Sequence, residues 1–165
     1  MSNLFGRRAV VVGGGPMPGS NDRAVEWLET RPGEHCLIRV PSAKTNGVYS
    51  IVEIVSDPGD GTPMHVHQNE NEHIIVLEGT ARIAYGDKVF DAEAGEVVTL
   101  LRNVPHAWGN RSNSQLHIAV VAFPGGCEEV LRVIARGGAA ELPALAAKFG
   151  ISPVGPLDAS SAPRP

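Results

Sequence analysis

His65 and His67 stand two residues apart, Glu72 follows five residues later, and His106 lies beyond a second glycine-bounded stretch. In a strand, residues i and i+2 point to one face. The two imidazoles can therefore aim at a common point, and Glu72 can return to it after a turn through Gln68-Asn69-Glu70-Asn71. Neutral imidazoles with a carboxylate suit one divalent transition metal: iron, manganese, nickel, copper or zinc. Three imidazoles and one carboxylate would leave a divalent ion with a net charge near +1. Octahedral preference would leave two positions for water, substrate or dioxygen. His73 has the parity opposite to its neighbour Glu72 and is expected to face away, while His35 and His117 have no partner at ligand spacing. Glu70 and Glu78 could support a ligand or act as bases, but both read first as solvated surface carboxylates. No side chain beyond the four metal-ligand candidates is singled out as catalytic.

The segments that must position these groups are short and β-like. Val25–Thr30, Cys36–Val40, Val48–Ser56, His73–Leu77, Thr80–Tyr85, Lys88–Phe90, Val97–Leu101 and Leu116–Ala122 are apolar or alternating runs. Between them fall Gly, Pro, Asn and Asp clusters, and Gly86-Asp87 suggests a tight hairpin. Regular short strands of this kind argue for an all-β sandwich or barrel. The period changes after Gly126. Glu128–Arg136 and Glu141–Phe149 carry apolar residues at helical spacing, and Gly150 supplies a stop. The organisation expected is an N-terminal arm over 1–23, a β-barrel over 24–125, a helical segment over 126–150 and a flexible, Pro/Ala/Ser-rich tail over 151–165. Gly13-Gly14-Gly15 follows a short apolar run, but Pro16 and Pro18 deny the helix that a dinucleotide fingerprint requires.

Composition narrows the partners. The 165 residues carry a formal net charge of −4 without a Lys/Arg cluster, which argues against nucleic acid. No apolar run approaches a membrane span, and the N-terminus lacks a signal-peptide core, so a cytoplasmic protein is expected. Two cysteines, Cys36 and Cys127, make no disulfide framework. Parity from Glu72 places Ile74 and Val76 on the interior face, with Phe90, Leu100 and Trp108 as further pocket walls. With eight aromatic residues in the chain, an aromatic platform for carbohydrate is poorly supplied, and an apolar pocket suits a phenolic or enolisable, β-dicarbonyl-like substrate better.

The run from Gly59 through His65, His67 and Glu72 to Gly79 resembles the first motif of the cupin superfamily, G-x5-H-x-H-x3,4-E-x6-G, at every specified position. Gly95, His106 and Asn110 match three positions of the second motif, G-x5-P-x-G-x2-H-x3-N, with Leu101 and Asn103 in place of its proline and internal glycine. Asn tolerates positive φ, so the turn before His106 is expected to survive. The chain is similar to small bacterial single-domain cupins of the quercetinase-like group over roughly residues 24 to 155. That resemblance implies a double-stranded β-helix, or jelly-roll barrel, with the metal held inside by His65, His67, Glu72 and His106. It implies a homodimer and leaves three functions open. These are a non-haem dioxygenase acting on a small phenolic or enolisable compound; an isomerase, lyase or cyclase using the ion as a Lewis acid; and a non-catalytic small-molecule-binding module.

Overall fold

The alternating runs pair into two antiparallel sheets in the computed structural model, which describes residues 27–158. Six strands form one sheet in the order β1-β2-β3-β10-β5-β8: β1 (Leu28–Arg31), β2 (Glu34–Val40), β3 (Ser50–Ser56), β5 (Asn71–Glu78), β8 (Val97–Leu100) and β10 (Leu116–Phe123). The other sheet runs β11-β4-β9-β6-β7: β4 (Pro63–His67), β6 (Thr80–Tyr85), β7 (Lys88–Glu93), β9 (His106–Gly109) and β11 (Ile151–Asp158). β3 shows the physical logic: Ser50, Val52, Ile54 and Ser56 are buried and the residues between them are not. Consecutive strands alternate between the sheets in part, so the pattern is a double-stranded β-helix rather than a meander. The core between the sheets is built from Cys36, Val52, Ile54, Ile74, Val76, Ile83, Leu100, Trp108, Leu116 and Ile118.

Two short helices follow, α1 (Glu128–Ala135) and α2 (Leu142–Phe149), the second ended by Gly150 at φ +67°. Helix α1 sits over β1 and turns apolar side chains toward the barrel. The expected flexible tail from residue 151 is corrected here. Ile151–Asp158 pairs with β4, through Ile151 opposite His67 and Pro153 opposite His65. Composition alone reads this Pro-rich stretch as coil, but an edge strand hydrogen-bonds on one side and tolerates proline. The arm over 1–23 and residues 159–165 lie outside the described residues, as do Val25 and Glu26 of the first expected strand. No helix among the described residues is long and apolar enough to cross a membrane.

The motif glycines and asparagines have separate structural duties. Gly79 holds φ +83° at the β5–β6 corner, and a Cβ there would lie 2.6 Å from the Gln115 carbonyl oxygen. Asn103 adopts φ +64°, the left-handed conformation that its place in the motif requires. Asn110 is fully buried; its side-chain nitrogen donates to the Ser56 and Ser114 carbonyls at 2.9 and 2.8 Å. Its backbone closes the same corner, because Gly59 N donates to Asn110 O and Asn110 N donates to Asp60 O, each at 2.8 Å. The second motif therefore ends in a clamp that ties the β3–β4 turn to the β9–β10 turn.

Candidate metal centre

Strand register assembles the four side chains. His65 and His67 project from one face of β4, and His106 stands directly opposite His65 at the start of β9. Glu72 comes from β5 in the other sheet, opposite Leu100 and Ala122. The four residues thus bridge the two sheets inside the barrel, and their ligand atoms all lie within 4.8 Å of one another. Glu72 Oε1 is 3.7 Å from His67 Nε2, and Glu72 Oε2 is 3.4 Å from His106 Nε2. His73, of opposite parity, stays outside this group: its Nδ1 pairs with Thr99 Oγ1 at 2.9 Å and its ring stacks on Phe123.

Each imidazole is held by its Nδ1. That atom of His65 bonds the Pro63 carbonyl and that of His106 the Val104 carbonyl, both at 2.9 Å, while that of His67 reaches Glu70 Oε2 at 3.3 Å. A carbonyl can only accept, so Nδ1 of His65 and of His106 carries the proton and Nε2 keeps its lone pair. Those free nitrogens point at the common space. His106 Nε2 is buried there with no hydrogen-bond partner of sound geometry. An orphaned buried acceptor beside two further imidazoles and a carboxylate is what a metal ion would satisfy. Bonds of about 2.1 Å set ligand atoms roughly 3 to 4.2 Å apart, so a contraction of about half an ångström would suffice. The residues fit a divalent metal.

Electrostatics agrees for His65 and Glu72, while His67 is held toward its protonated form until an ion displaces the proton. Burial, reinforced by the neighbouring imidazoles, pushes the His65 pKa down to about 4, keeping the ring neutral and able to ligate. Burial works against the charged form of Glu72, but the His106 contact and the surrounding imidazoles outweigh it and hold the carboxyl at about 2. Burial likewise opposes a charged His67, yet the Glu70 hydrogen bond and the two carboxylates keep its pKa raised.

Residues 52–122 match the Cupin_2 family model, a cupin domain, and that span contains all four side chains. Over residues 52–122 this chain is a cupin domain. The fold of KdgF from Halomonas sp. is similar, with a TM-score of 0.57 at 13% identity, covering 63% of this chain and 92% of that one. The polyketide cyclase RemF from Streptomyces resistomycificus superposes with a TM-score of 0.56 at 20% identity, over 66% of this chain and 80% of its own. Over 50 residues the cupin chain is 38% identical to mannose-1-phosphate guanylyltransferase 2 of Escherichia coli O157:H7; the match spans 30% of this chain and 10% of that protein.

A cavity of about 290 Å³ opens onto His65, His67 and Glu72 of the cupin centre. Its walls are mostly apolar: Val52, Ile54, Val120 and Trp108 from the barrel, Leu131 and Ile134 from α1. Of the expected wall residues, Trp108 is there. Ile74, Val76 and Leu100 do face inward, but they lie in the solidly packed core rather than on the cavity. Phe90 is a correction. It lies opposite Ile83, but β7 is the edge of its sheet and the ring stays 37% exposed. Glu70 is another correction: far from being a solvated surface group, it is 2% exposed and bonded to His67, whereas Glu78 is exposed as expected.

Sequence reasoning missed the cavity groups supplied from outside the barrel motifs. Arg31, Glu34, Cys127, Glu128, Ile151 and Pro153 all line it, and none carries a spacing signal. Glu34 accepts from the Thr30 hydroxyl and the Arg31 guanidinium, and burial raises its pKa. Arg31 is also bound to Asp60 at 2.8 Å, so two carboxylates share this one cation. Glu128 is committed elsewhere, accepting from the Ser42 and Gly126 amides at 2.7 Å each. Burial beside Glu72, Glu70 and Glu128 keeps the Cys127 thiol protonated.

Proposed function

We propose that this cupin is a metal-dependent enzyme acting on a small, uncharged phenolic or enolisable compound, with dioxygen as co-substrate. The observation that supports it is the meeting of three imidazoles and one carboxylate with a mainly apolar cavity of about 290 Å³. A site of that volume takes a one- or two-ring molecule. The only cavity cation among the described residues, Arg31, is already neutralised by Glu34 and Asp60, so nothing is left over to recognise a phosphate or carboxylate.

His65, His67, Glu72 and His106 would hold the ion, which supplies Lewis acidity and, when redox-active, a path for electrons. The chain's own contribution is to exclude water with Val52, Ile54, Val120, Leu131 and Ile134 and to seat a flat ligand beside Trp108. Glu34 also lines the cavity, but its two oxygens already accept from Thr30 and Arg31, so its role is to hold Arg31 neutral rather than to act as a base.

A second reading, Lewis-acid isomerisation, lyase chemistry or cyclisation without oxygen, is favoured by Cys127. An oxidisable thiol shares the cavity, and a non-oxidative reaction would spare it. Elemental analysis of untagged protein, followed by oxygen-uptake assays over phenols and β-diketones with and without chelator, tests the first reading. Chelator-sensitive oxygen uptake supports it; chelator-sensitive turnover under strict anaerobiosis replaces it with the second. Absence of bound metal even after reconstitution would demote both in favour of a small-molecule-binding module. Pairing into a homodimer belongs to the same proposal, and a monomer mass in light scattering would count against it.

A further inference from the structure

Two of the three imidazoles are held by main-chain carbonyls two residues upstream, Pro63 for His65 and Val104 for His106. His67 departs from this pattern. Its Nδ1 faces a carboxylate, Glu70 Oε2 at 3.3 Å, and Glu70 is 2% exposed. A carboxylate is carried into the barrel interior at a cost that needs an offsetting interaction. The fold holds it there from both sides of the short β4–β5 turn. Asn103 N donates to His67 O at 2.7 Å, and Gln68 N donates to Gly150 O at 2.9 Å. Gly150, at φ +67°, packs so closely that a Cβ would lie 2.9 Å from Asn69 Nδ2. The end of α2 thus pins the turn that carries Glu70.

We propose that Glu70 is a positioning residue of the metal site: its buried carboxylate fixes the ring orientation and tautomer of His67 and adds a second negative charge to the centre. The proposal rests on the reading of the cluster as a metal site. Its consequence is a revised charge count. Glu72 alone leaves a divalent ion with a net charge near +1, whereas Glu72 and Glu70 together bring the loaded centre to neutrality. A neutral centre has little attraction for free anions and is matched to uncharged ligands, the class the cavity walls also favour. Carboxylate partners of ligating histidines raise ligand basicity and lock the donor nitrogen, and their loss typically weakens metal binding about 10- to 100-fold.

The test compares wild type with Glu70→Gln, which keeps a hydrogen-bond acceptor but removes the charge, and Glu70→Leu, which removes both. Long-range proton–nitrogen NMR of metal-free, histidine-labelled protein at alkaline pH reads the tautomer of His67 directly. Competition against a chromophoric chelator gives the Zn²⁺ affinity, and azide titration of the Co²⁺ form, followed by absorption, gives anion affinity. Expected are an Nδ1–H tautomer in wild type and Glu70→Gln, a tautomer mixture in Glu70→Leu, and Zn²⁺ affinity lowered roughly 10-fold in Glu70→Gln and more in Glu70→Leu. Azide should bind Glu70→Gln more tightly than wild type. Wild-type Zn²⁺ and azide affinities in Glu70→Gln would overturn the proposal, and that variant is close enough in shape to decide the matter should Glu70→Leu not fold. Wild-type protein that binds no Zn²⁺ would instead sink the metal reading, an outcome distinct from metal binding that is indifferent to residue 70.

Discussion

His65, His67 and His106 differ from His73 and His117 in what their ring nitrogens face. The first three turn Nδ1 to a fixed acceptor and leave Nε2 in the common space; His73 spends Nδ1 on Thr99, and His117 spends Nε2 on Glu53 at 2.6 Å. His65→Ala or His106→Ala should therefore lower metal occupancy and the metal-dependent part of thermal stability together, because an ion that binds the folded state stabilises it by mass action. His73→Ala should retain full occupancy, as measured by elemental analysis alongside thermal melts with and without added metal. Equal metal loss from His73→Ala would overturn the assignment of faces. The cysteines make a second prediction at this scale. Cys36 is fully buried, and burial with the nearby Glu34 charge pushes its thiol up to about 12. Native protein at mildly alkaline pH should resist iodoacetamide at Cys36, while denatured protein should be alkylated there; intact-mass spectrometry with peptide mapping reads both.

At the level of elements, corners and clamps decide whether the strands meet in register. Gly79 and Gly59 both hold positive φ, +83° and +91°, but their surroundings differ. A side chain at Gly59 enters open space, whereas one at Gly79 meets the Gln115 carbonyl at 2.6 Å and Leu116 Cα at 3.2 Å. Gly59→Ala should cost about 1–2 kcal/mol for the left-handed backbone alone. Gly79→Ala must add the displacement of β10 and should cost clearly more; urea unfolding of the two variants checks the order. Glu128 clamps a different junction, linking the 3₁₀ turn after β2 to the start of α1 through the Ser42 and Gly126 amides. Burial alone would raise its pKa, but the Ser42 hydrogen bond and its neighbours outweigh that and lower it. A carboxylate with a depressed folded-state pKa contributes stability that is complete above its unfolded value and lost as pH falls through the folded one. Wild type should thus lose melting temperature below about pH 4.5 more steeply than Glu128→Gln, which is already weaker at neutral pH. Parallel slopes in thermal melts across that range would remove Glu128 from the account.

For the whole molecule, the barrel gives rigidity and the C-terminal segment completes the cavity. Ile118 is fully buried on β10, between β3 and β5, and Ile118→Ala should cost about 2–5 kcal/mol because the packed sheets cannot close around the void. Chemical denaturation measures this directly. Leu131 and Ile134 of α1, with Ile151 and Pro153 of β11, form a cavity wall supplied by the C-terminal segment, whose β11 joins the barrel's second sheet. The site is therefore shared between the cupin barrel and the segment that follows it, and changes in that segment should alter ligand choice more than metal binding.

The sequence by itself determined the four ligand candidates, most of the strands and the two helices, since each is a local pattern: H-x-H parity, alternating burial along β3, helical spacing after Gly126. The short β9 and the C-terminal β11 are not among the expected strands. Asn103 in place of a glycine was also legible, because its left-handed backbone is a local preference, borne out at φ +64°. Tertiary structure alone decided the rest. Glu70 reads as a turn residue until the β4–β5 turn is folded inward against Gly150. Phe90 shares a face with the core, yet edge position leaves it exposed. Ile151–Asp158 looks like coil until β4 offers it a one-sided hydrogen-bonding partner. Arg31 and Glu34 reach the cavity only because β1 and β2 close beside Trp108. Periodicity encodes which way a side chain points from its own strand; what stands opposite is set by contacts distant in sequence, which no local pattern records.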